Sequence, residues 1–507
     1  MNNSKQRKLG VILSYVAIIS TTLIQLMYTP FLIRSIGQSE FGLYSLVNSI
    51  IGYLTIMDLG FGNAIVVYTA KYRAQKRYDD EKKLHGMFFV IFIIIGIIAG
   101  LCGLILYFNT EKIFGSTMTA EELYKIKIMM LILSFNLVIS FSFSIYSSII
   151  NAYEKFIYQK IMTILNTLLK PLFMIPLLLL GYKSITLVIV ITVLNLFVLL
   201  SNYIFCKKRL GIKIKYQGFD NSLFKTILGY SIWIFIGTIV DKINWSVDQF
   251  ILGAVSGTIA VSLYSIASQL NTLFVNLSTA VSGILLPKIS KMIANNATSK
   301  ELTFEFIRVG RIQYLLIFLM ASGIILFGKE FFIAWVGKDY VTSYYIALIL
   351  ILPLCIPLIQ NLGISIMQAK NMHRFRSVLY AAIAVSNIIF SIPLAKNFGG
   401  IGSAIGTGIS ILIGNGIIIN IYYYRKVGID VIKFWKEILR MTIPNIIPIL
   451  IILILTKFIE IHGYTHVIVF GAIYTGMYFF VCYKISMNKY EKSVINSILY
   501  KFIRIKK

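Results

Sequence analysis

The sequence predicts an all-α integral membrane protein with about 14 transmembrane helices. Three observations carry that expectation. Hydrophobic residues make up 58% of the 507 and charged residues only 13%, with a mean hydropathy of +0.81. A soluble chain has too little polar surface to keep that much apolar area from water. The apolar runs are continuous, as in Phe88–Phe108, Leu168–Leu180 and Leu315–Phe327. Barrel strands would alternate, so these runs are helices, which satisfy every backbone amide within the segment. Finally, no polar stretch exceeds roughly 25 residues, far short of a water-soluble domain.

The net charge of +28 would point to nucleic acid in a soluble protein. Here the basic residues sit in short breaks between apolar runs, mostly in every second break, which is the positive-inside pattern. With the N-terminus in the cytoplasm, roughly 37 of the 48 Lys and Arg lie inside and about 10 outside. An even number of spans with both termini cytoplasmic follows, in a cell membrane and without nucleic-acid binding.

In chain order, the first span covers 10–33. It follows Lys5, Arg7 and Lys8 as a signal peptide would, but Val11–Ile33 is too long for a signal's apolar core and no small-residue cleavage pattern follows, so it reads as uncleaved. The second, 41–69, is diluted by Asp58 and several glycines. Spans 86–108, 123–149, 161–181 and 184–206 complete a first set of six. Across a basic stretch, 207–225, come 226–247, 257–286, 303–327, 343–367, 377–395 and 400–424. Two more, 441–459 and 465–483, precede a tail that puts Val494, Ile495, Ile498, Leu499, Phe502 and Ile503 on one helical face, with lysines opposite. That tail is expected to lie along the inner leaflet, and Val427–Leu439 has the same character.

Chemistry-bearing clusters are sparse. Cys102, Cys206, Cys355 and Cys482 fall within or at the ends of apolar runs and read as small buried hydrophobes, not as metal ligands or a disulfide pair. His85, His373, His462 and His466 fall in predicted loops or at span ends, without metal-ligand or catalytic spacing. The chain has no Gly-rich Lys-Ser/Thr nucleotide loop. No enzyme activity, cofactor or metal is expected.

An internal repeat organises the chain. FLIRSIGQSEFGLYSLV at 31–47 resembles FILGAVSGTIAVSLYSIA at 250–267, with Leu43-Tyr44-Ser45 matching Leu263-Tyr264-Ser265 and Lys71 matching Lys291. Both segments join an outward span to a returning one. A unit of six spans keeps the halves in one orientation, as in parallel-repeat transporters. The expected organisation is a six-helix lobe at 1–206, a cytoplasmic linker at 207–225, a second six-helix lobe at 226–426, and two further helices with a basic tail at 427–507.

From Arg34-Ser35-Ile36-Gly37, through Glu40-Phe41-Gly42-Leu43-Tyr44 and Asp58-Leu59-Gly60, to NFGGIGSAIGTGIS at 397–410, the chain resembles polysaccharide flippases of the O-antigen and capsule (Wzx) type. These belong with multidrug and toxin extruders (MATE) and murein lipid flippases in one exporter superfamily. The resemblance covers essentially the whole chain in span number and loop length. It implies a flippase that turns an undecaprenyl-pyrophosphate-linked oligosaccharide repeat unit from the inner to the outer leaflet of a bacterial membrane. It implies as partners that lipid-linked substrate, membrane lipids and polysaccharide-polymerising machinery. Sugar and pyrophosphate cross hydrocarbon only at a large desolvation cost, which a hydrated cationic cavity between two rocking lobes would remove.

Against that expectation, Lys170 is the sharpest candidate, near the middle of LNTLLKPLFMIPLLLL with Pro171 and Pro176 beside it. A central lysine should face protein or water. It either attracts the pyrophosphate or pairs with an acidic residue. Asp58 is the candidate for a coupling-ion or proton site, or else a cap inside the second span. Arg34, Asp241, Lys242 and Asp248 gather near the predicted outer mouth, with Asp248 a second coupling-ion candidate or a solvated loop residue. Gln25, Asn48, Asn166, Asn244, Gln269 and Gln360 either line the cavity as sugar-bonding amides or join helices together. Trp233, Trp245 and Tyr264 have rings suited to stacking on sugars.

Rival readings on the same fold are a drug or metabolite exporter, which would want an apolar or acidic chamber, and a murein lipid flippase. A polysaccharide polymerase would want a large outer loop, whereas the longest predicted here, at 109–122 and 328–342, are about 15 residues.

Overall fold

The molecule is described here by a computed structural model covering residues 3–212, 214, 216, 218–282, 286–370, 372–459, 463–493 and 495–496. Every regular element among these residues is helical. Among the described residues, twelve segments are long and apolar enough to cross a bilayer. One of them, Phe375–Val427, is 53 residues long, about 80 Å of helix against a hydrocarbon core of about 30 Å. It folds back at Gly399 (φ 56°, ψ −136°). Ser391 Oγ donates to the Ser403 carbonyl at 3.2 Å, and Thr407 Oγ1 to Asn387 Oδ1 at 3.0 Å. A continuous helix would hold those residues far apart, so the segment makes two passes. The 35-residue helix Asn221–Val255 is also long enough, which brings the passes to about fourteen.

Residues Met1–Ser265 form one compact unit and Ile266–Lys507 another. In the first, α1 (Asn3–Ile36) is followed by α2 (Gln38–Leu54), α3 (Phe61–Ala74), α4 (Tyr78–Phe114), α5 (Ala120–Ala152), α6 (Phe156–Leu179), α7 (Ser184–Arg209), α8 (Asn221–Val255) and the start of α9 (Gly257–Ser282). The second predicted span is not one helix. A 3-10 turn, Thr55–Asp58, and left-handed residues at Leu59 (φ 53°) and Gly60 (φ 74°) separate α2 from α3. The apolar run weakens at that place for the same reason: Asp58 and two glycines are poor helix interior. The tightest packing joins α4 to α5. A Cβ at Gly96 would lie 2.7 Å from the Val138 carbonyl oxygen, and one at Gly103 would overlap Ser134, so small residues let two long helices touch along their backbones. His85 lies inside α4, not in a loop. It is buried against Thr69 at 3.0 Å.

In the second unit, α10 (Leu286–Ala294) leads to α11 (Ser299–Val336), α12 (Val341–Ile359), α13 (Leu362–Ala369), the hairpin that begins as α14 (His373–Ile411), a short α15 (Ile419–Tyr422), α16 (Val431–Phe458) and α17 (Gly463–Val481). The last two spans dock on α11 through tyrosines. Tyr314 donates to Thr442 at 2.8 Å, Tyr478 to the Leu315 carbonyl at 2.8 Å, and Tyr474 meets Ser322 at 2.5 Å. Val427–Leu439 is not a separate surface helix, because most of it opens α16 with Val431, Phe434 and Ile438 buried. In the amphipathic tail, Val494, Ile498, Leu499, Phe502 and Ile503 lie outside the described residues, as does His462.

The repeat in the sequence has a counterpart in the backbone. Gly37, just before α2, and Gly257, at the start of α9, both have φ 83°. At the same spacing, Lys76 (φ 58°) and Asn296 (φ 56°) both turn left-handed after a short basic helix.

Candidate functional site

A polar stripe runs along α6. Gln159, Thr163, Asn166, Thr167 and Lys170 fall within one 100° arc of the helix, given 3.6 residues per turn. The threonines bond along their own helix: Thr163 donates to the Gln159 carbonyl at 3.0 Å and Thr167 to the Thr163 carbonyl at 2.9 Å. Gln159 donates to the Ser147 carbonyl of α5 at 3.0 Å. Asn166 and Lys170 differ. Asn166 Oδ1 is buried without a hydrogen-bond partner among the described residues. Lys170 is half-buried and has neither an ion pair nor a hydrogen bond among the described residues.

Lys170 lies fourteen residues after the first residue of α6 and nine before the last, so about 21 Å and 14 Å of helix separate it from the two ends. Pro171 and Pro176 have no N–H, which leaves the carbonyls of Thr167 and Leu172 without their helical donors. The middle of the span therefore offers one cation, one amide oxygen unpartnered among the described residues, and two carbonyls that lack their usual i+4 helical donors. An acidic partner for Lys170, the alternative reading of that residue, is absent among the described residues.

The neighbour of α6 is α1. Tyr28 donates to Met174 Sδ at 3.1 Å. One turn back along each helix lie Gln25, which is exposed, and Lys170. Arg34 is elsewhere: it is exposed in the last turn of α1, nine residues beyond Gln25, or about 14 Å along the axis. There its charge complements the helix C-terminus.

A second group lies where the α2–α3 break packs against α8. Asp58 is half-buried and accepts from the Gly62 N–H at 3.4 Å, a long cap for α3, and it has no ion pair among the described residues. Lys242 Nζ lies beside Gly52, and the Tyr53 hydroxyl is buried without a hydrogen-bond partner among the described residues. Asp248 is 2% exposed and accepts from Tyr264 at 2.8 Å. It is no solvated loop residue. The Tyr264 ring is buried as well, which removes it as a stacking surface.

Other amides are engaged within or between helices. Asn48 donates to the Tyr44 carbonyl at 2.7 Å within α2. Gln360 is buried and exchanges bonds with Asn420 at 2.6 and 3.3 Å, and Trp435 also donates to Asn420, at 3.1 Å. Asn244 and Gln269 both have partners. The side chains of Trp233, Asp241, Trp245 and His373 lie outside the described residues.

Sequence reasoning missed a polar clasp. Glu122, near the start of α5, accepts from Ser39 at 2.5 Å and from Thr258 at 2.8 Å. Thr117 donates to the Gly253 carbonyl at 2.8 Å. Glu40 is paired with Lys125 and accepts from Ser184. The turn between α8 and α9 is thus bonded to the α1–α2 and α4–α5 turns. In the sequence, Ser39, Glu122 and Thr258 lie at or just outside the ends of three predicted spans, with nothing to link them. The stripe partners Gln159, Thr163 and Thr167 were missed as well, although their spacing to Lys170 on one helical face is the signal that could have found them.

The sequence profile of the polysaccharide biosynthesis protein family matches residues 8–293, more than half of the chain. The chain belongs to that family. It is 22% identical over 402 residues to a protein of Shigella flexneri named "Putative O-antigen transporter", covering 77% of this chain and 92% of that one. Among solved structures, lipid II flippase MurJ in an inward closed conformation superposes with a TM-score of 0.71 at 19% identity, over 94% of this chain and 99% of that one. An inward-facing multidrug resistance MATE family transporter of the MOP superfamily superposes with a TM-score of 0.64 at 12% identity, over 81% and 95%. These likenesses establish the exporter fold expected from the sequence, in a many-span membrane protein whose relatives are named as transporters and flippases.

Proposed function

We propose that this protein is a flippase that carries polyprenyl-pyrophosphate-linked oligosaccharide units from the cytoplasmic to the outer leaflet for surface polysaccharide assembly. Family membership and the O-antigen transporter relative support the substrate class. The observation that carries the reading is Lys170, a half-buried lysine in mid-span without a counter-ion among the described residues. An unpaired lysine at the bilayer centre costs about 2.5–3.5 kcal/mol on insertion scales, a cost that an anionic substrate group offsets. In this reading Lys170 attracts the pyrophosphate, Asn166 and Gln25 bond the first sugars, and the polyprenyl tail stays in lipid. Asp58 is the coupling-ion residue, because its carboxylate is held only by a long backbone bond, whereas Asp248 is engaged by Tyr264. Both termini are cytoplasmic, and the clasp at Glu122 closes the outer side between transport events.

The deciding experiment deletes the gene in its host and measures which leaflet holds the lipid-linked units, alongside surface polysaccharide. Units retained on the cytoplasmic face with surface polymer lost is the expected result. Single unpolymerised units outside would point to a polymerase. Unchanged polysaccharide with altered drug tolerance would move the protein to the exporter branch, and loss of viability with stalled murein precursors to the murein branch.

A further inference from the structure

A cavity of about 780 Å³ in the second unit opens between the first turns of α11 and α16 and the residues following α17. That volume lies within the about 300–1,000 Å³ typical of ligand sites. Its walls are built with care. The Asp430 N–H donates to Thr303 at 3.1 Å, joining the two helix starts. Arg311 forms the back wall, donating to Glu491 at 2.6 and 3.0 Å, to Glu437 at 3.1 Å and to the Ser486 carbonyl at 3.0 Å. Arg308 is braced by Glu305 at 2.8 Å and lies 3.5 Å from the centre of the Tyr490 ring.

Charge in the cavity is unbalanced. The carboxylates on the wall are already engaged: Asp430 caps α16 by accepting from the Lys433 N–H at 2.9 Å, and Glu437 binds Arg311 and Arg440. Lys300 and Lys433 also line the cavity, and both are exposed and without an ion pair among the described residues. The two helix N-termini at the same place are already capped, α11 by Thr298 with Glu301 and α16 by Asp430, so the lysines carry the excess charge. Directly beyond Lys300 the wall turns apolar, with Phe304 65% exposed and Ile307 a turn further on. Cationic and apolar surfaces one helical turn apart, at the basic ends of membrane spans, match a lipid whose phosphate sits at the water boundary.

We propose that this cavity is a binding site for the phosphate headgroup of an anionic membrane phospholipid, held by Lys300 and Lys433 with an acyl chain along Phe304. The site is separate from the α6 stripe and does not depend on the transported substrate. Each lysine near an anionic headgroup contributes about fivefold in affinity, so losing both costs about 25-fold.

The test uses the full-length protein in nanodiscs and counts phospholipid retained on extraction, comparing phosphatidylglycerol with phosphatidylcholine. The expected result is selective retention of phosphatidylglycerol by the wild type and by K436Q, whose lysine lies outside the cavity, with about 25-fold weaker retention by K300Q/K433Q. Because both lysines are exposed and unpaired, the double variant should melt at the wild-type temperature, which separates loss of the site from loss of the fold. Equal weakening by K436Q would show diffuse surface charge only. Displacement of the lipid by millimolar inorganic phosphate would show a free-phosphate site. Unchanged retention by K300Q/K433Q overturns the proposal outright.

Discussion

At the scale of single residues, function and stability pull in opposite directions at Lys170. A lysine that pays solvation cost without a partner weakens the fold, so Lys170→Leu is expected to stabilise the purified protein by about 2–3 kcal/mol, seen as a raised unfolding temperature. The same change removes a charge-assisted contact worth about 1.5–3 kcal/mol to an anionic substrate. Flipping measured in reconstituted vesicles should therefore fall roughly 10- to 100-fold, with Lys170→Arg retaining most of it. A destabilised Lys170→Leu protein would show that the lysine has a structural partner instead. Asp58 gives a complementary case. Its bond to Gly62 is 3.4 Å long, so Asp58→Asn should cost under about 1 kcal/mol in stability while abolishing dependence of transport on an ion gradient. Gradient-dependent transport persisting in that variant would leave Asp58 as a helix cap. Lys170 was visible in the sequence because a charge interrupts an apolar run. That it lacks a counter-ion was not visible, since pairing depends on neighbours from other helices.

At the scale of elements, paired glycines separate backbone strain from crowding. Gly37 and Gly257 share φ 83°, but a Cβ at Gly37 meets nothing within 4 Å, whereas one at Gly257 lies 2.9 Å from the Thr117 carbonyl oxygen. Gly37→Ala should cost about 1–3 kcal/mol from backbone conformation alone, because φ 83° with ψ 170° is a region essentially confined to glycine. Gly257→Ala should cost more and also disturb the clasp, a difference that melting curves of the two variants resolve. The clasp has its own test. Ser39 Oγ and Thr258 Oγ1 are 3.3 Å apart, so a Ser39→Cys/Thr258→Cys double variant should cross-link on oxidation, stop transport, and recover on reduction. Continued transport by the cross-linked protein would mean that these turns never part. Helix positions and the repeat were legible because hydropathy and a shared Leu-Tyr-Ser mark them. The break at Asp58-Leu59-Gly60 was legible only as a weak span, because the sequence shows loss of helix propensity but not where the chain resumes.

At the scale of the whole molecule, the long-range polar ties are few and specific. Arg311 and Glu491, 8% and 2% exposed in their side chains, join α11 to the residues that follow α17. Removing one partner leaves a buried charge, so Arg311→Met should destabilise by about 3–5 kcal/mol, whereas joint replacement of Arg311, Glu437 and Glu491 by apolar residues should recover much of that loss. Denaturant titration of the two variants distinguishes a paired network from isolated contacts. Orientation is tested on the same scale: cysteines at Lys76 and Arg209 should react with an impermeant reagent only from the cytoplasmic side, and a cysteine at Lys183 only from outside.

The sequence by itself determined the solvent of this protein, the all-helical class, the approximate number of passes, the repeat and the mid-span charge. Each follows from local composition, because a bilayer imposes the same demand on every segment: apolar side chains outside and backbone amides satisfied within. The tertiary structure alone decided which polar residues are spent on structure and which remain available. Gln360, Asn48, Tyr264 and Asp248 proved engaged, Lys170 and Asn166 unpartnered. The clasp at Glu122 and the cavity beside Lys300 and Lys433 also emerged only there. Hydrogen bonds and ion pairs are satisfied by residues distant in sequence, so the spacing that reveals a helix is silent about its partners.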